Sequence, residues 1–182
     1  QDLENGDQYT TDLWNKVLNL VYKGWETTYK DQKIDFDVIF KQSDYKDSGK
    51  KVVDMALQNG VAYKDESGAI IADLQKYDLP NKVLLRSDGT SLYITQDLEM
   101  AMDSINKFNL DQKIYVVDVR QSDYFKQLFK VLEVIGFKDF NKLHHLAYGF
   151  VSLPQGKMSS RSGLVVNADD AFEEVKNIES KE

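Results

Sequence analysis

The sequence contains no cysteine, two prolines and only two histidines among its 182 residues. The absence of cysteine excludes a disulfide framework, a thiolate nucleophile and a cysteine-based zinc site. The two histidines, His144 and His145, are adjacent, and this scarcity argues against a histidine-rich metal site. No apolar run reaches the roughly 18 residues that a membrane-spanning helix requires, so we expect no membrane partner.

The composition is that of an acidic globular protein. Acidic residues outnumber basic residues by 30 to 23, which gives a formal net charge of −7. This balance argues against a dedicated nucleic-acid-binding domain, although it is compatible with a small basic patch. The length suits one domain, or one domain with a subdomain packed on it.

Residues 1–82 predict a mixture of helices and strands. Apolar residues spaced three and four apart, from Trp14 to Trp25, predict a first helix, with Thr10 or Thr11 as its N-cap. The other elements predicted here are a strand at 34–40, a helix at 50–58 and a β-hairpin of 61–64 with 69–73.

From residue 83 onward, strands and helices alternate along the chain. This alternation predicts a mostly parallel sheet with helices on its faces, so the fold class is α/β. The apolar run 114–119 is typical of a buried parallel strand. The remaining predicted elements are strands at 83–85, 92–94 and 145–153, helices beginning near 95 and 168, a helix with Phe125 to Ile135 on its apolar face, and a loop at 154–163.

The loop at 155–163 is rich in glycine, serine and cations. Lys157 and Arg161 lie between two flanking glycines, together with several hydroxyl groups. Such a loop can close over a polyphosphate, where its cations stabilise the charge that develops during phosphoryl or nucleotidyl transfer. The same residues also fit an ordinary solvated surface loop.

A second group of polar residues follows two predicted strands. If Tyr93 closes a strand and Asp97 opens a helix, both face the edge of the sheet where α/β proteins bind ligands. Asp97 could there pair with a guanidinium group in bidentate fashion. Gln121 follows the next strand at the same edge. Helix capping by Ser122 and a favourable helix-dipole position for Asp97 are the structural alternatives.

The segment that begins at His145 is the third candidate. Its strand contains Gly149, which allows close approach of a ligand, and it could present main-chain groups to a planar base. A lone histidine at such a position is usually structural.

Taken in order, these segments resemble the arginyl-tRNA synthetases. The segments that carry the resemblance are 83–98, 115–121, 145–151 and 157–163, while residues 1–82 match more weakly. The resemblance implies that Tyr93, Asp97 and Gln121 bind the substrate arginine.

The resemblance also implies two sets of ATP-binding residues. Those beside the adenine are His145, Gly149, Phe150 and Val151. The second set lies in the loop that looks like the class I Lys-Met-Ser-Lys-Ser loop, and the resemblance gives it the catalytic role. Its residues are Lys157, Ser159, Ser160 and Arg161. No tightly bound protein metal is implied, because Mg²⁺ arrives with ATP.

The resemblance implies that the chain has the fold of part of a class I aminoacyl-tRNA synthetase and takes part in its activity. Residues 83–182 match the second half of its Rossmann-like, nucleotide-binding catalytic domain, and residues 1–82 match a connective α+β subdomain. The complete cytoplasmic ligase activates arginine with ATP to arginyl-adenylate and transfers it to tRNA(Arg) for protein biosynthesis.

Three departures from the family pattern shape the expectations for this chain, and one is that the loop has Ser160-Arg161 where the generic class I loop has Lys-Ser. The His-Ile-Gly-His tetrapeptide is absent, so we expect no aminoacylation by the chain alone. The aromatic content of 12% and the apolar sheet predict exposed apolar surface, so we also expect self-association through an exposed half-sheet. The histidine that the family usually has three residues after Gln121 is Tyr124 here. The alternative is a stand-alone synthetase-like module that binds arginine or regulates without catalysis.

Overall fold

A computed structural model describes residues 2–3, 5–45, 49–149 and 166–179 of the chain. The chain splits into two compact units. One is formed by residues 1–39 and 152–182, and the other by residues 40–151. Every buried apolar side chain among the described residues belongs to the second unit. The division predicted from the sequence, between residues 1–82 and 83–182, concerns parts of a catalytic domain and not compact units, and it stays a prediction.

Helix α1 (Gln8–Asp31) accounts for most of the first unit. The predicted N-cap at Thr10 or Thr11 is wrong, because the Asp7 carboxylate accepts the backbone N–H of Thr10 at 2.8 Å and starts the helix earlier. The predicted apolar stripe lies on this helix, but none of its described side chains is buried.

The predicted strand at 34–40 is also wrong, because the structure has no strand there. A strand needs a hydrogen-bonded neighbour, and none of the described strands pairs with this segment. The chain instead turns back onto the end of α1, where Ile34 donates its N–H to the Tyr29 carbonyl at 2.9 Å. The Phe36 ring meets the Tyr29 ring edge-on, with centroids 4.9 Å apart.

The second unit begins with a helix and an antiparallel sheet. Its first elements are α2 (Lys50–Gln58), β1 (Ala62–Lys64), β2 (Ile70–Ala72) and β3 (Lys82–Leu85). The strand order is β1-β2-β3, and the predicted hairpin is confirmed by the antiparallel pairing of β1 with β2. Its turn is held by Asp65, whose Oδ1 accepts the N–H groups of Ser67 and Ala69, each at 2.9 Å.

Helix α3 (Tyr93–Phe108) replaces the predicted strand at 92–94 and begins earlier than predicted. Ile94 lies on the same buried helix face as Leu98, Ala101 and Ile105, so its burial comes from helix packing and not from a sheet. The Thr95 hydroxyl donates a hydrogen bond to the Leu84 carbonyl, which ties the first turn of α3 to β3.

A parallel pair of strands completes the second unit. Its elements are β4 (Lys113–Asp118), α4 (Ser122–Val134) and β5 (Leu143–Tyr148). The register runs from Lys113 opposite Leu143 to Asp118 opposite Tyr148. This βαβ arrangement confirms the α/β class, while β1–β3 form the antiparallel part. The strand predicted at 145–153 ends at Tyr148, so Gly149 lies outside it, and residues 150–153 of that prediction lie outside the described ranges.

The last described element, α5 (Ala168–Glu179), belongs to the first unit and confirms the predicted C-terminal helix. The Thr28 hydroxyl of α1 donates to Oδ1 of Asp169 at 2.9 Å. In the part of the chain that the structure describes, no helix is both long enough and apolar enough to cross a membrane.

Candidate functional site

A pocket of about 540 Å³ lies in the second unit, where the N-terminal end of α3 faces the start of α4. Its polar side chains are those of Lys82, Tyr93, Asp97, Gln121 and Tyr124. Val117, near the carboxyl end of β4, lines the same pocket. The structure therefore brings together the three residues to which the family resemblance assigns arginine binding.

Helix α3 explains the pairing of Tyr93 with Asp97. Residues four apart on a helix lie on the same face, one turn above the other. Tyr93 is the first helical residue, and its side chain is 73% exposed, whereas Asp97 is partly buried. The predicted strand-to-helix geometry for this pair is wrong, but the helix brings both side chains to the same pocket.

The Asp97 carboxylate is held by one hydrogen bond. The Tyr124 hydroxyl donates to its Oδ2 atom, and no other described residue is found to donate to Oδ1. Burial raises the pKa of Asp97, while the bond from Tyr124 and the charge of Lys113 act in the opposite direction. The site thus presents a carboxylate with unused acceptor positions beside an open pocket, which suits a planar cation with paired N–H donors.

Gln121 reaches the pocket through the turn that follows β4. Asp118 ends the strand and its Oδ1 accepts both the backbone N–H and the Nε of Arg120, at 2.7 and 2.8 Å. Gln121 then occupies the N-cap position of α4, and its own side chain makes no capping hydrogen bond. The capping role considered for Ser122 is therefore wrong, since Ser122 is already the first helical residue.

Lys113, the first residue of β4, is a charged neighbour of Asp97 that sequence reasoning missed. The Lys113 Nζ donates to the Ser104 hydroxyl at 2.6 Å and lies 4.9 Å from the centroid of the Tyr115 ring. Burial lowers the pKa of Lys113 to about 8, although Asp97 and Asp103 oppose this shift. No local sequence pattern indicates this residue, because its partners are brought near by the packing of α3 on β4.

Tyr124 is the second residue that sequence reasoning did not place in the pocket. It lies one helical turn after Gln121 but is 27 positions away from its partner Asp97. Its ring meets Phe125 edge-on, with centroids 5.5 Å apart, and lies 5.2 Å from the Nζ of Lys82. Burial, and next the bond to Asp97, raise the pKa of Tyr124, so its hydroxyl remains a neutral donor.

The residues predicted to contact ATP are only partly described. The Nε2 of His145 lies 3.0 Å from the Val117 carbonyl oxygen, and its ring stacks on Phe125 with centroids 4.4 Å apart. Gly149 is exposed, and a Cβ added there would meet no atom within 4 Å. The residues that fall outside the described ranges are Phe150, Val151, Lys157, Ser159, Ser160 and Arg161. Their roles stay predictions.

Within the described ranges, no group of three or more histidine, aspartate or glutamate side chains is arranged to hold a metal ion.

Comparison with known proteins decides the family. A family model described as tRNA synthetases class I (R), catalytic domain, matches residues 1–181. The chain belongs to the arginyl-tRNA synthetase family. It thus falls within the class I aminoacyl-tRNA ligases.

Curated relatives agree with this family. An arginine–tRNA ligase of Porphyromonas gingivalis is 42% identical over 172 residues, covering 94% of this chain and 29% of the relative. One of Treponema denticola is 46% identical over 158 residues, covering 87% of this chain and 27% of the relative. The chain therefore spans less than a third of the length of these synthetases.

A solved structure supports the fold. The crystal structure of arginyl-tRNA synthetase from Plasmodium falciparum superimposes with a TM-score of 0.71 at 23% identity, covering 84% of this chain and 27% of that structure. The predicted α/β fold is thus that of the family's catalytic region.

Proposed function

We propose that this chain supplies the arginine pocket and the phosphate-binding loop of an arginine–tRNA ligase. In the proposed reaction, the carboxylate of arginine attacks the α-phosphorus of Mg²⁺-bound ATP. A P–O bond breaks, pyrophosphate leaves and arginyl-adenylate forms. A hydroxyl of the terminal adenosine of tRNA(Arg) then attacks the activated carbonyl and displaces AMP. The protein contributes position and charge stabilisation, with no covalent enzyme intermediate.

Asp97 carries the arginine part of the proposal. Its partly buried carboxylate lines the pocket, and one of its oxygens accepts no hydrogen bond from the described residues. A guanidinium group can donate two parallel N–H bonds to such a carboxylate, and the low dielectric of the pocket strengthens the ion pair. We assign orientation of the substrate to Tyr93 and Gln121, which line the same pocket.

We assign the ATP part to the second group of residues. Lys157 and Arg161, with the hydroxyls of Ser159 and Ser160, are proposed to bind the phosphates. His145, Gly149, Phe150 and Val151 are proposed to lie beside the adenine. The support is the family match over residues 1–181, which includes all of them.

We propose that the chain does not aminoacylate tRNA by itself. Its sequence contains no His-Ile-Gly-His tetrapeptide, and it spans less than a third of the curated ligases. The proposed setting of the complete reaction is the cytoplasm, where arginine, ATP and tRNA(Arg) meet. The alternative of a non-catalytic module is not favoured by the comparisons.

Calorimetric titration of the chain with arginine tests the proposal. We expect arginine to bind and citrulline, which has a neutral urea group in place of the guanidinium, to bind far more weakly. Asp97→Asn should weaken arginine binding by roughly ten-fold or more, because a charge-assisted pair is lost.

Asp103→Asn is the matched control for this titration. Asp103 lies on the same helix, but it accepts a hydrogen bond from Tyr45 and does not line the pocket. Its substitution should leave arginine affinity unchanged. Equal affinity of wild type and Asp97→Asn, or no binding by either, would contradict the arginine site. If the chain catalysed pyrophosphate exchange with arginine, ATP and tRNA, this would contradict the proposal that the chain is inactive by itself.

A further inference from the structure

Asp97 is held in the pocket by a residue from a different element. The Tyr124 hydroxyl, on α4, donates to the Oδ2 atom of Asp97, on α3, and both side chains line the pocket. We propose that Tyr124 is a positioning residue whose hydroxyl holds the Asp97 carboxylate in the orientation that receives the guanidinium group of arginine. This inference rests on the proposed function of the pocket.

The phenol of Tyr124 is itself fixed by its surroundings. Its ring meets Phe125 edge-on at 5.5 Å, and Phe125 in turn stacks on the His145 ring at 4.4 Å. The Nζ of Lys82 lies 5.2 Å from the centroid of the Tyr124 ring. A donor held in this way orders Asp97 before the ligand arrives, so less conformational entropy is lost on binding.

The hydrogen bond leaves Asp97 able to bind a ligand. An ionised carboxylate offers about four lone-pair positions. Tyr124 occupies one of these on Oδ2, and no donor to Oδ1 is found among the described residues. Fixing one oxygen also sets the plane of the carboxylate, and bidentate pairing with a guanidinium requires that the two planes match.

The groups that surround Asp97 make its charge dependent on Tyr124. Lys113 and Tyr115 act on it from β4, Tyr124 from α4, and Lys82 of β3 lines the same pocket. Burial raises the pKa of Asp97, and the bond from Tyr124 is the largest effect that lowers it. Below pH 7, Lys113 stays protonated and the two tyrosines stay neutral, while Asp97 titrates.

Arginine affinity measured by calorimetry on the full chain, over a series of pH values, tests the inference. Tyr124→Phe keeps the ring and removes the hydroxyl. We expect roughly ten-fold weaker arginine binding at pH 7. We also expect the loss of affinity on acidification to begin at a higher pH, because nothing then replaces the hydrogen bond that lowers the pKa of Asp97.

Tyr45→Phe is the matched control. Tyr45 also donates its hydroxyl to an aspartate of α3, namely to Oδ2 of Asp103 at 2.8 Å, but does not line the pocket. This variant should bind arginine like the wild type, with the same acid midpoint. A purely structural role for Tyr124 could weaken binding, but it would not move that midpoint.

The outcomes separate this inference from the proposed function. Absence of arginine binding by the wild type overturns both. If the wild type and Tyr124→Phe bind arginine with the same affinity and the same acid midpoint, only the role of Tyr124 is overturned. An equal loss of arginine affinity in Tyr124→Phe and Tyr45→Phe overturns that role too. If Tyr124→Phe does not fold, the ζ-carbon NMR signal of Tyr124 in the wild type should follow the titration of Asp97. A signal that does not respond to that titration overturns the inference.

Discussion

At the scale of single residues, the pocket combines side chains that sequence could and could not predict. Tyr93, Asp97 and Gln121 were predicted together, because ordered motifs placed them at one edge of the fold, and the structure gathers them in one pocket. Tyr124 and Lys113 were not predicted as part of the site. Their contacts depend on how α3 packs against α4 and β4, and no local sequence pattern encodes such packing.

Lys113 leads to a prediction about pH and stability. Its pKa is lowered to about 8 from an ordinary value of 10.5, so between these values the unfolded chain binds more protons than the folded chain. The free energy of unfolding should therefore rise with pH across this window, because deprotonation relieves the cost of burying a charge.

Lys113→Met should remove this rise between pH 8 and pH 10. The expected difference from the wild type is on the order of 1 kcal/mol, since solvent screens part of the effect. Urea unfolding at a series of pH values measures it. The exposed Lys126 is a suitable control, and Lys126→Met should keep the slope of the wild type. Parallel pH profiles for the wild type and Lys113→Met would show that the lysine is not responsible.

At the scale of elements, strongly periodic segments were predicted well and short apolar segments were not. Helix α2 and the β1–β2 hairpin match their predicted positions, because turn chemistry and helical periodicity are local. The segments 34–40 and 92–94 were predicted as strands from apolar content alone. Whether such a run forms a strand depends on a partner strand, and whether it joins a helix depends on tertiary burial.

The packing of α2 against α3 gives a prediction at this scale. A Cβ added to Gly49 would lie 2.8 Å from the Cγ2 of Thr95 and 2.9 Å from its carbonyl oxygen. Gly49→Ala should therefore push the two helices apart and lower the free energy of unfolding by about 1–3 kcal/mol. Urea denaturation followed by circular dichroism measures this change.

Gly24→Ala is the control for the same substitution. Gly24 lies inside α1, and a Cβ added there meets nothing within 4 Å. Because alanine favours helices more than glycine does, we expect no loss and a gain of up to about 1 kcal/mol. A loss in Gly49→Ala no greater than that in Gly24→Ala would contradict the close packing at Thr95.

At the scale of the whole molecule, one face of the parallel strand pair remains exposed. The outward side chains with exposed fractions above half are Ile114, Val116 and Leu146, at 52%, 63% and 58%. Alternate residues face the helices instead, as Tyr115 and Val117 do. Composition and an apolar sheet predicted such a surface, but the sequence did not show which residues form it.

This apolar face predicts self-association. We expect the mass measured by light scattering to rise with protein concentration, because burial of this face removes apolar area from water. The double variant Val116→Asp with Leu146→Lys should reduce that rise, while Tyr63→Lys, at an exposed position of β1, should not. A constant monomer mass over the same concentration range would contradict the prediction.

NMR mapping of the chain shows whether the pocket beside Asp97 binds arginine. Backbone amide signals would be followed while arginine, and separately citrulline, is added. We expect saturable shifts with arginine that cluster at Tyr93, Asp97, Gln121 and Tyr124, and much weaker shifts with citrulline. Shifts that cluster away from these residues, or equal responses to both compounds, would contradict this expectation.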